Sequence, residues 1–305
     1  LQLRVLQQDP DLLPVRATDA AAEEQASPLP TGTVTFLLSD VEGSTRRWQE
    51  APDAMAVAVP RHYELLDEAI VAHGIDSPLA PGFQIVGEHR WGGHADRVVV
   101  PARNVVPRPA GRTWEECAAY PLATLTAWRM LRRARLSAGE TALIVGIGGG
   151  VSTAALGLAL RLGATVYATS RDEAKRQRAV SLGAVDAFDS EADWPVAADV
   201  VVESVGPATW DRSVKALRPG GRLVVCGATS GPKVELSLPR LFFRQIEVIG
   251  STMGSYPEFD QVTGLMRQGL PVQVDEVFPR AAYPDALDRL ARGEQLGKVV
   301  LRHDG

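Results

Sequence analysis

Gly146, Gly148, Gly149 and Gly150 crowd a bend between the apolar run Ala142-Leu-Ile-Val145 and the uncharged stretch that starts at Val151. Glycines at a strand-to-helix turn let backbone N–H groups close on a pyrophosphate, and the N-terminus of the following helix favours its negative charge. The spacing from Gly146 to Ser152 reads Gly-x-Gly-x-Gly-x-Ser, so the last small position is a serine. A plain close-packed turn is the alternative reading. About twenty residues further on, a dinucleotide site reads the adenosine ribose, with a carboxylate where the coenzyme is NAD. Here the run Tyr167-Ala-Thr-Ser170 ends on a hydroxyl and is followed by Arg171 and Lys175. A hydroxyl and two cations suit a 2′-phosphate, which favours NADP(H). Asp172 keeps NAD(H) as the alternative, because a one-residue shift brings its carboxylate to the ribose, and a solvated helix face would also explain the two cations. His89, His94 and Asp96 form a loose set of metal-type ligands, but their spacing reads better as structural or surface groups.

The surrounding text says what must hold these residues. The chain has 305 residues, 45% of them hydrophobic, enough for two ordinary cores. Its formal charge of -5 comes without a block of Lys or Arg, which argues against a nucleic-acid partner. Cys117 and Cys226 lie far apart in apolar stretches, which excludes a disulfide framework and fits a reducing cytoplasm. Residues 1–14 carry no leader pattern, and the absence of an initial Met suggests a fragment or a processed product. Thr141 to Leu160 is uncharged over a length that could span a bilayer. The glycines in its middle would break such a helix, so no membrane partner is expected.

From Leu136 onward, strand-like and helix-like runs alternate: 142–145, 151–162, 165–170, 173–182, 199–205, 210–217 and 222–226. Parallel strands wrapped by helices are the economical fold for that order. Short strands return at Val274–Phe278 and Lys298–Leu301, around the helix-like Tyr283–Arg292. Between Ser77 and Pro109, glycines and prolines punctuate short runs such as Asp96-Arg-Val-Val-Val-Pro101, which suggests small-barrel strands. Ala17–Pro30 reads as a linker, Thr33–Leu38 as a strand, and Trp48–His73 as two helices interrupted at Pro60.

Several ordered motifs together resemble the medium-chain dehydrogenase/reductase superfamily, in its quinone-oxidoreductase-like and zinc-type alcohol dehydrogenase-like branch. They are Pro121-Leu-Ala-Thr-Leu-Thr-Ala-Trp128, Gly146-Ile-Gly-Gly-Gly-Val151, Leu217-Arg-Pro-Gly-Gly-Arg222, Gly227-Ala-Thr-Ser230, Gly250-Ser-Thr-Met-Gly254 and Gly297-Lys-Val-Val-Leu301. The resemblance runs from about Gly82 to the C-terminus. It implies an α/β fold: a Rossmann-type doubly wound parallel sheet over 130–270, with a partial GroES-like β-barrel domain from 75–129 and 271–305. It also implies hydride transfer between NADP(H) and a quinone, enone or other carbonyl. By that likeness Thr126 lies near the nicotinamide, Gly227, Ala228, Ser251 and Thr252 line the coenzyme groove, and Ser170 and Lys175 hold the 2′-phosphate. Where relatives often place a Tyr after the Leu-Gly-Ala triplet, this chain has Asp189-Ser190. The later zinc-ligand position, just before Thr126, falls on Leu122 or Ala123, so no catalytic zinc is expected. The resemblance names no catalytic residue, because the general acid of relatives falls in sequence this chain replaces. Ile246–Gly250 is an edge strand that, by the same likeness, pairs across a homodimer.

The segment 31–74 is different. Gly32-Thr-Val-Thr-Phe-Leu-Leu-Ser-Asp-Val-Glu-Gly-Ser-Thr45, with Trp48, His62 and His73-Gly74, resembles the opening of a class III adenylate/guanylate cyclase domain. There Asp40 would be a metal carboxylate, but the later motifs of that family have no counterpart here. The alternative to an oxidoreductase is therefore a catalytically inactive NADP(H)-binding or signalling remnant that carries a cyclase fragment.

Overall fold

The computed structural model of the protein describes residues 78–80, 83–90, 92–95 and 97–303. The expected linker, the cyclase-like fragment and Asp96 lie outside the described residues. Contacts divide the chain into two units, one holding residues 84–108 of the described part and the other residues 74–83 and 109–305.

In the first unit the expected barrel strands do not form among the described residues. The Gly87 N–H bonds to the Arg90 carbonyl at 2.8 Å, and the His89 N–H bonds to that of Ile85 at 2.9 Å. The glycines of this segment close tight turns, so the run has only an isolated bridge between Val86 and Arg90 and a 3-10 turn at Ala102–Asn104.

The second unit is built on a six-stranded sheet. Its strands are β1 (Thr141–Ile144), β2 (Thr165–Ser170), β3 (Asp186–Asp189), β4 (Ala198–Glu203), β5 (Leu217–Val225) and β6 (Glu247–Gly250). The order is β3-β2-β1-β4-β5-β6 and every pairing is parallel. This is the doubly wound arrangement, whose order reverses between β1 and β4. The helices are α1 (Trp114–Arg133), α2 (Gly150–Arg161), α3 (Glu173–Ser181), α4 (Trp210–Ala216), α5 (Leu238–Phe243) and α6 (Tyr256–Arg267).

Strand residues alternate between two cores, which is why these runs are apolar on both faces. Ala142, Ile144, Val200 and Val202 pack with α1, α2 and α6, while Leu143, Val145, Val201 and Leu223 pack with Trp194, Trp210 and Val214. α1 runs unbroken across residue 129, where the sequence suggests a domain boundary, and tolerates Pro121 within it. Its start is fixed by a capping box in which Thr113 and Glu116 satisfy each other's backbone N–H groups. β5 starts at Leu217, five residues ahead of the expected Arg222, because Leu217 already pairs with Ala198 before the Pro219-Gly220-Gly221 irregularity. The uncharged stretch 141–160 is β1, the glycine bend and most of α2. Among the described residues no helix is long and apolar enough to cross a membrane.

The last segment forms β7 (Val274–Pro279), α7 (Tyr283–Ala291) and β8 (Lys298–Arg302), with β7 and β8 paired in parallel. Asp275 braces it: Arg289 donates to both carboxylate oxygens at 2.6 and 3.1 Å, and the Leu296 N–H donates at 3.0 Å.

Candidate functional site

The glycine bend is held open by β2. The Gly146 N–H donates to the Thr169 hydroxyl at 3.0 Å, and the Ile147 N–H to the Thr169 carbonyl at 2.7 Å. Gly146 has φ +73°, and a Cβ there would meet Val205 Cγ2 at 2.8 Å, so both the turn and the close approach require glycine. α2 then begins with Gly149 as its N-cap and no side-chain cap. Ser152 and Thr153 turn their hydroxyls back onto the Gly149 carbonyl at 2.9 and 3.0 Å. The first N–H groups of this helix therefore face outward with the positive end of its dipole, as an anion site requires.

A cleft of about 1170 Å³ opens over this bend. It brings together Gly146, Gly148, Gly149, Gly150, Val151, Ser170, Arg171, Lys175 and Gly227, nine of the residues expected from sequence. Thr126, Ala228, Ser251 and Thr252 are not among its lining residues. Thr126 is buried and its hydroxyl donates to the Leu122 carbonyl at 2.8 Å, one turn back along α1, so it serves the helix. Ser251 bonds through its N–H to the Val225 carbonyl at 2.8 Å, while its hydroxyl oxygen is buried without a partner.

The start of α3 forms one wall of the cleft. Asp172 is the N-cap of that helix and accepts from the Lys175 N–H at 3.2 Å, while its own N–H bonds to the Ser170 hydroxyl at 3.1 Å. Asp172 thus caps α3 through Oδ1 while lining the cleft. The Lys175 ammonium reaches the other way and bonds to the Gly293 carbonyl. Burial holds its pKa below the ordinary lysine value, against the pull of Asp172 and Asp275. Arg176 pairs with Asp189 at 3.2 Å and bonds to the Ser170 carbonyl at 2.7 Å, so the Asp189 of the expected tyrosine region serves to fix the end of β2.

The remaining walls come from two places that the sequence reading did not name. Ser204, Val205, Ala208 and Thr209 follow β4, the strand beside the switch point; Glu203 holds Val205 and Thr209, and the Ala208 N–H bonds to the Ser230 hydroxyl at 3.1 Å. That carboxylate is fully buried and accepts from Val205 N–H (2.6 Å), Gly206 N–H (3.1 Å), the Thr209 hydroxyl (2.9 Å) and the Ser213 hydroxyl (2.5 Å). A buried carboxylate is tolerated here because its donors converge on it. Its position after an apolar run and beside Gly206 was the available signal. Cys226 lines the same wall, and burial together with the charge of Glu203 pushes its thiol up to about 11. The other wall is the turn between α7 and β8, with Arg292, Gly293 and Gln295. It is tied down where the Gly297 N–H bonds to the Gly148 carbonyl at 2.8 Å. The Lys298 side chain crosses Gly150 so closely that a Cβ there would meet its Cδ at 2.5 Å.

These features fit a dinucleotide: a glycine cradle that a Cβ would fill, a helix N-terminus open to anions, and the cations Arg171 and Lys175 on the same cleft. Among the described residues no three His, Cys, Asp or Glu side chains converge as ligands. Leu122 and Ala123 have no lone pair to offer, and in the first unit the His89 Nδ1 accepts from the Ile85 N–H at 3.1 Å.

A parallel sheet in this strand order with a glycine bend at its switch point defines a Rossmann-type nucleotide-binding domain. Comparison with known proteins narrows that class. Residues 150–268 match the zinc-binding dehydrogenase family. A zinc-type alcohol dehydrogenase-like protein of Schizosaccharomyces pombe is 30% identical over 238 residues, covering 72% of this chain and 68% of that protein. The chain belongs to the zinc-type alcohol dehydrogenase-like part of the medium-chain dehydrogenase/reductase superfamily. An NAD-dependent alcohol dehydrogenase structure superposes with a TM-score of 0.70 at 36% identity, covering 73% of this chain and 69% of that one. A 2-octenoyl-CoA carboxylase reductase in complex with NADP and 2-octenoyl-CoA gives 0.69 at 28% identity, covering 76% and 59%. Among the curated relatives, the chain spans 60% of a crotonyl-CoA carboxylase/reductase of Cereibacter sphaeroides and 4% of a polyketide synthase of Streptomyces halstedii.

Proposed function

We propose that the protein is an NADP(H)-dependent oxidoreductase that moves a hydride between the coenzyme and a conjugated carbonyl, a quinone or a related acceptor. The observation that carries the coenzyme choice is the start of α3, where Asp172, itself on the cleft wall, spends one carboxylate oxygen as the helix cap beside Ser170 and the two cations Arg171 and Lys175. The relatives do not decide it, since one solved structure is of an NAD-dependent enzyme and another holds NADP.

When bound, the coenzyme supplies the hydride chemistry. The chain's own part is to hold it: the N–H groups at the start of α2 take the pyrophosphate, Arg171 and Lys175 take the 2′-phosphate, and Val205 packed on Gly146 closes the floor. Leu122 and Ala123, at the position where the resemblance puts the later zinc ligand, offer no ligating side chain, and acceptors that need little carbonyl polarisation suit such a site best, which favours quinones, enones and unsaturated thioesters over simple alcohols and ketones. The domain division reads as a nucleotide-binding domain over 130–270 flanked by parts of a catalytic domain at 75–129 and 271–305.

Titrating NADPH and NADH against the protein by nicotinamide fluorescence tests the assignment. Lys175→Ala should weaken NADPH by about 1.5–3 kcal/mol more than NADH, the worth of a charged hydrogen bond. Equal losses for the two coenzymes would remove Lys175 from the 2′-phosphate. Consumption of NADPH with naphthoquinone or an enone then separates a working enzyme from a coenzyme-binding remnant.

A further inference from the structure

We infer that the Lys175 side chain is a strap across the glycine bend that competes with a dinucleotide for the space over Gly148 and so selects against coenzymes that lack a 2′-phosphate; the inference rests on the coenzyme reading above and concerns the regulation of that same site. The second glycine of such a bend is bare so that a pyrophosphate can approach the backbone. Here the space that a Cβ on Gly148 would fill is bounded by Lys175 Nζ at 3.2 Å and by Lys175 Cδ at 3.3 Å, so the ammonium and its stem both lie over that bare position. The ammonium then donates to the Gly293 carbonyl. Lys175 starts from α3, and Gly293 belongs to the turn between α7 and β8, so one side chain ties two walls of the cleft together.

Both ends of the strap are fixed. At the near end the Lys175 N–H is bonded to Asp172 at 3.2 Å. At the far end the turn is held by the Leu296 N–H on Asp275 at 3.0 Å and by the Gly297 N–H on the Gly148 carbonyl at 2.8 Å. Opening the bend therefore means turning the lysine side chain off its carbonyl, which costs the hydrogen bond that holds it. A 2′-phosphate offers the displaced ammonium a charged acceptor in exchange, and a 2′-hydroxyl offers no such charge. NADPH is thus compensated for lifting the strap and NADH is not. Discrimination of this kind comes from a cost imposed on the wrong ligand as well as from attraction of the right one. A lysine that only attracts the 2′-phosphate would leave NADH binding indifferent to its removal, and that difference separates the two roles.

The test compares the wild type with Lys175→Ala and with Lys175→Met, which keeps the length of the side chain and removes its charge. NADH, read by nicotinamide fluorescence, should bind both variants about threefold to tenfold more tightly than the wild type, the release of one intramolecular hydrogen bond. ADP-ribose, read by its displacement of NADH, lacks the 2′-phosphate as well and should gain by the same factor. NADPH should bind both variants more weakly than the wild type. An NADH affinity that is unchanged or lowered in the two variants would overturn the strap, and if NADPH alone is weakened it would leave Lys175 as a plain cation for the 2′-phosphate and the coenzyme reading intact. A gain for NADH without one for ADP-ribose would also overturn it, because the strap covers the bend that both ligands share. Failure of the wild type and the variants alike to bind either coenzyme would overturn both readings.

Discussion

At the scale of single residues, the site divides by how far apart its parts lie in the sequence. Gly146, Gly148, Gly149 and Gly150 were legible because one local bend determines their task. Ser170, Arg171 and Lys175 were legible because a strand end stands at a fixed distance from that bend. Gln295 and Arg292 were not, since nothing local marks a residue that reaches the cleft from nearly 150 positions away. Thr126 is not among the residues that line the cleft: a threonine inside a helix has the i−4 carbonyl as a ready partner, and here it takes it. Cys226 shows how the surroundings set chemistry that residue type alone does not. Burial and the neighbouring Glu203 charge raise its pKa to about 11, so the thiol stays protonated through neutral pH. In a Cys117→Ser background, alkylation of Cys226 by iodoacetamide should be slow at pH 7.5 and still be rising steeply with pH above 10, where an ordinary thiol, with a pKa of about 8.5, is almost wholly thiolate and its rate has levelled off. A rate that reaches its plateau by about pH 10 would show the thiolate to form more readily than this arrangement allows.

Among the elements, the strands buried on both faces were the easiest to read. β1, β2 and β4 carry unbroken apolar runs, and the expected limits fall within two residues of the observed ones. β3 escaped notice because Asp186-Ala-Phe-Asp189 is short, bounded by carboxylates and paired with β2 alone. The barrel strands expected before Pro109 fail for the opposite reason, because apolar runs there have no described partner strand and their glycines close turns. The βαβ unit at the C-terminal end depends on one carboxylate. Burial alone would raise the pKa of Asp275, but the bonds from Arg289 and the Leu296 N–H outweigh it and hold the carboxyl below its ordinary value. Because the folded pKa is depressed, the stabilisation is present above the unfolded value, near pH 4, and is lost as pH falls through the folded one. Asp275→Asn should destabilise the protein at pH 7 by about 2 kcal/mol, since two bonds from a guanidinium lose their ionic acceptor. The difference from wild type should shrink on acidification below pH 4. Denaturant unfolding at pH 7 and pH 3 measures both, and a gap of equal size at the two pH values would show that Asp275 acts by shape and not by charge.

For the whole molecule, the open edge of the sheet poses the remaining question. β6 pairs with β5 on one side only, and Val248 on it is 41% exposed. The preceding α5 leaves Leu238, Phe242 and Phe243 exposed, the last of them at 80%. An unpaired edge beside an apolar helix face is a surface that proteins ordinarily cover. We propose that a second copy related by a two-fold axis covers it with the same surface; antiparallel pairing of the two β6 strands would turn six strands into twelve. The charge on this edge does not oppose such a pairing, because Glu247 is already bridged to Arg135 at 2.5 Å within its own chain. Light scattering at micromolar concentration should give twice the 32.7 kDa of one chain. Val248→Lys, which sets a cation on the edge, should shift the mass towards that of the monomer without altering NADPH affinity, because β6 contributes no residue to the cleft. A wild-type protein that scatters as a monomer, or a dimer indifferent to Val248→Lys, would move the interface away from this edge.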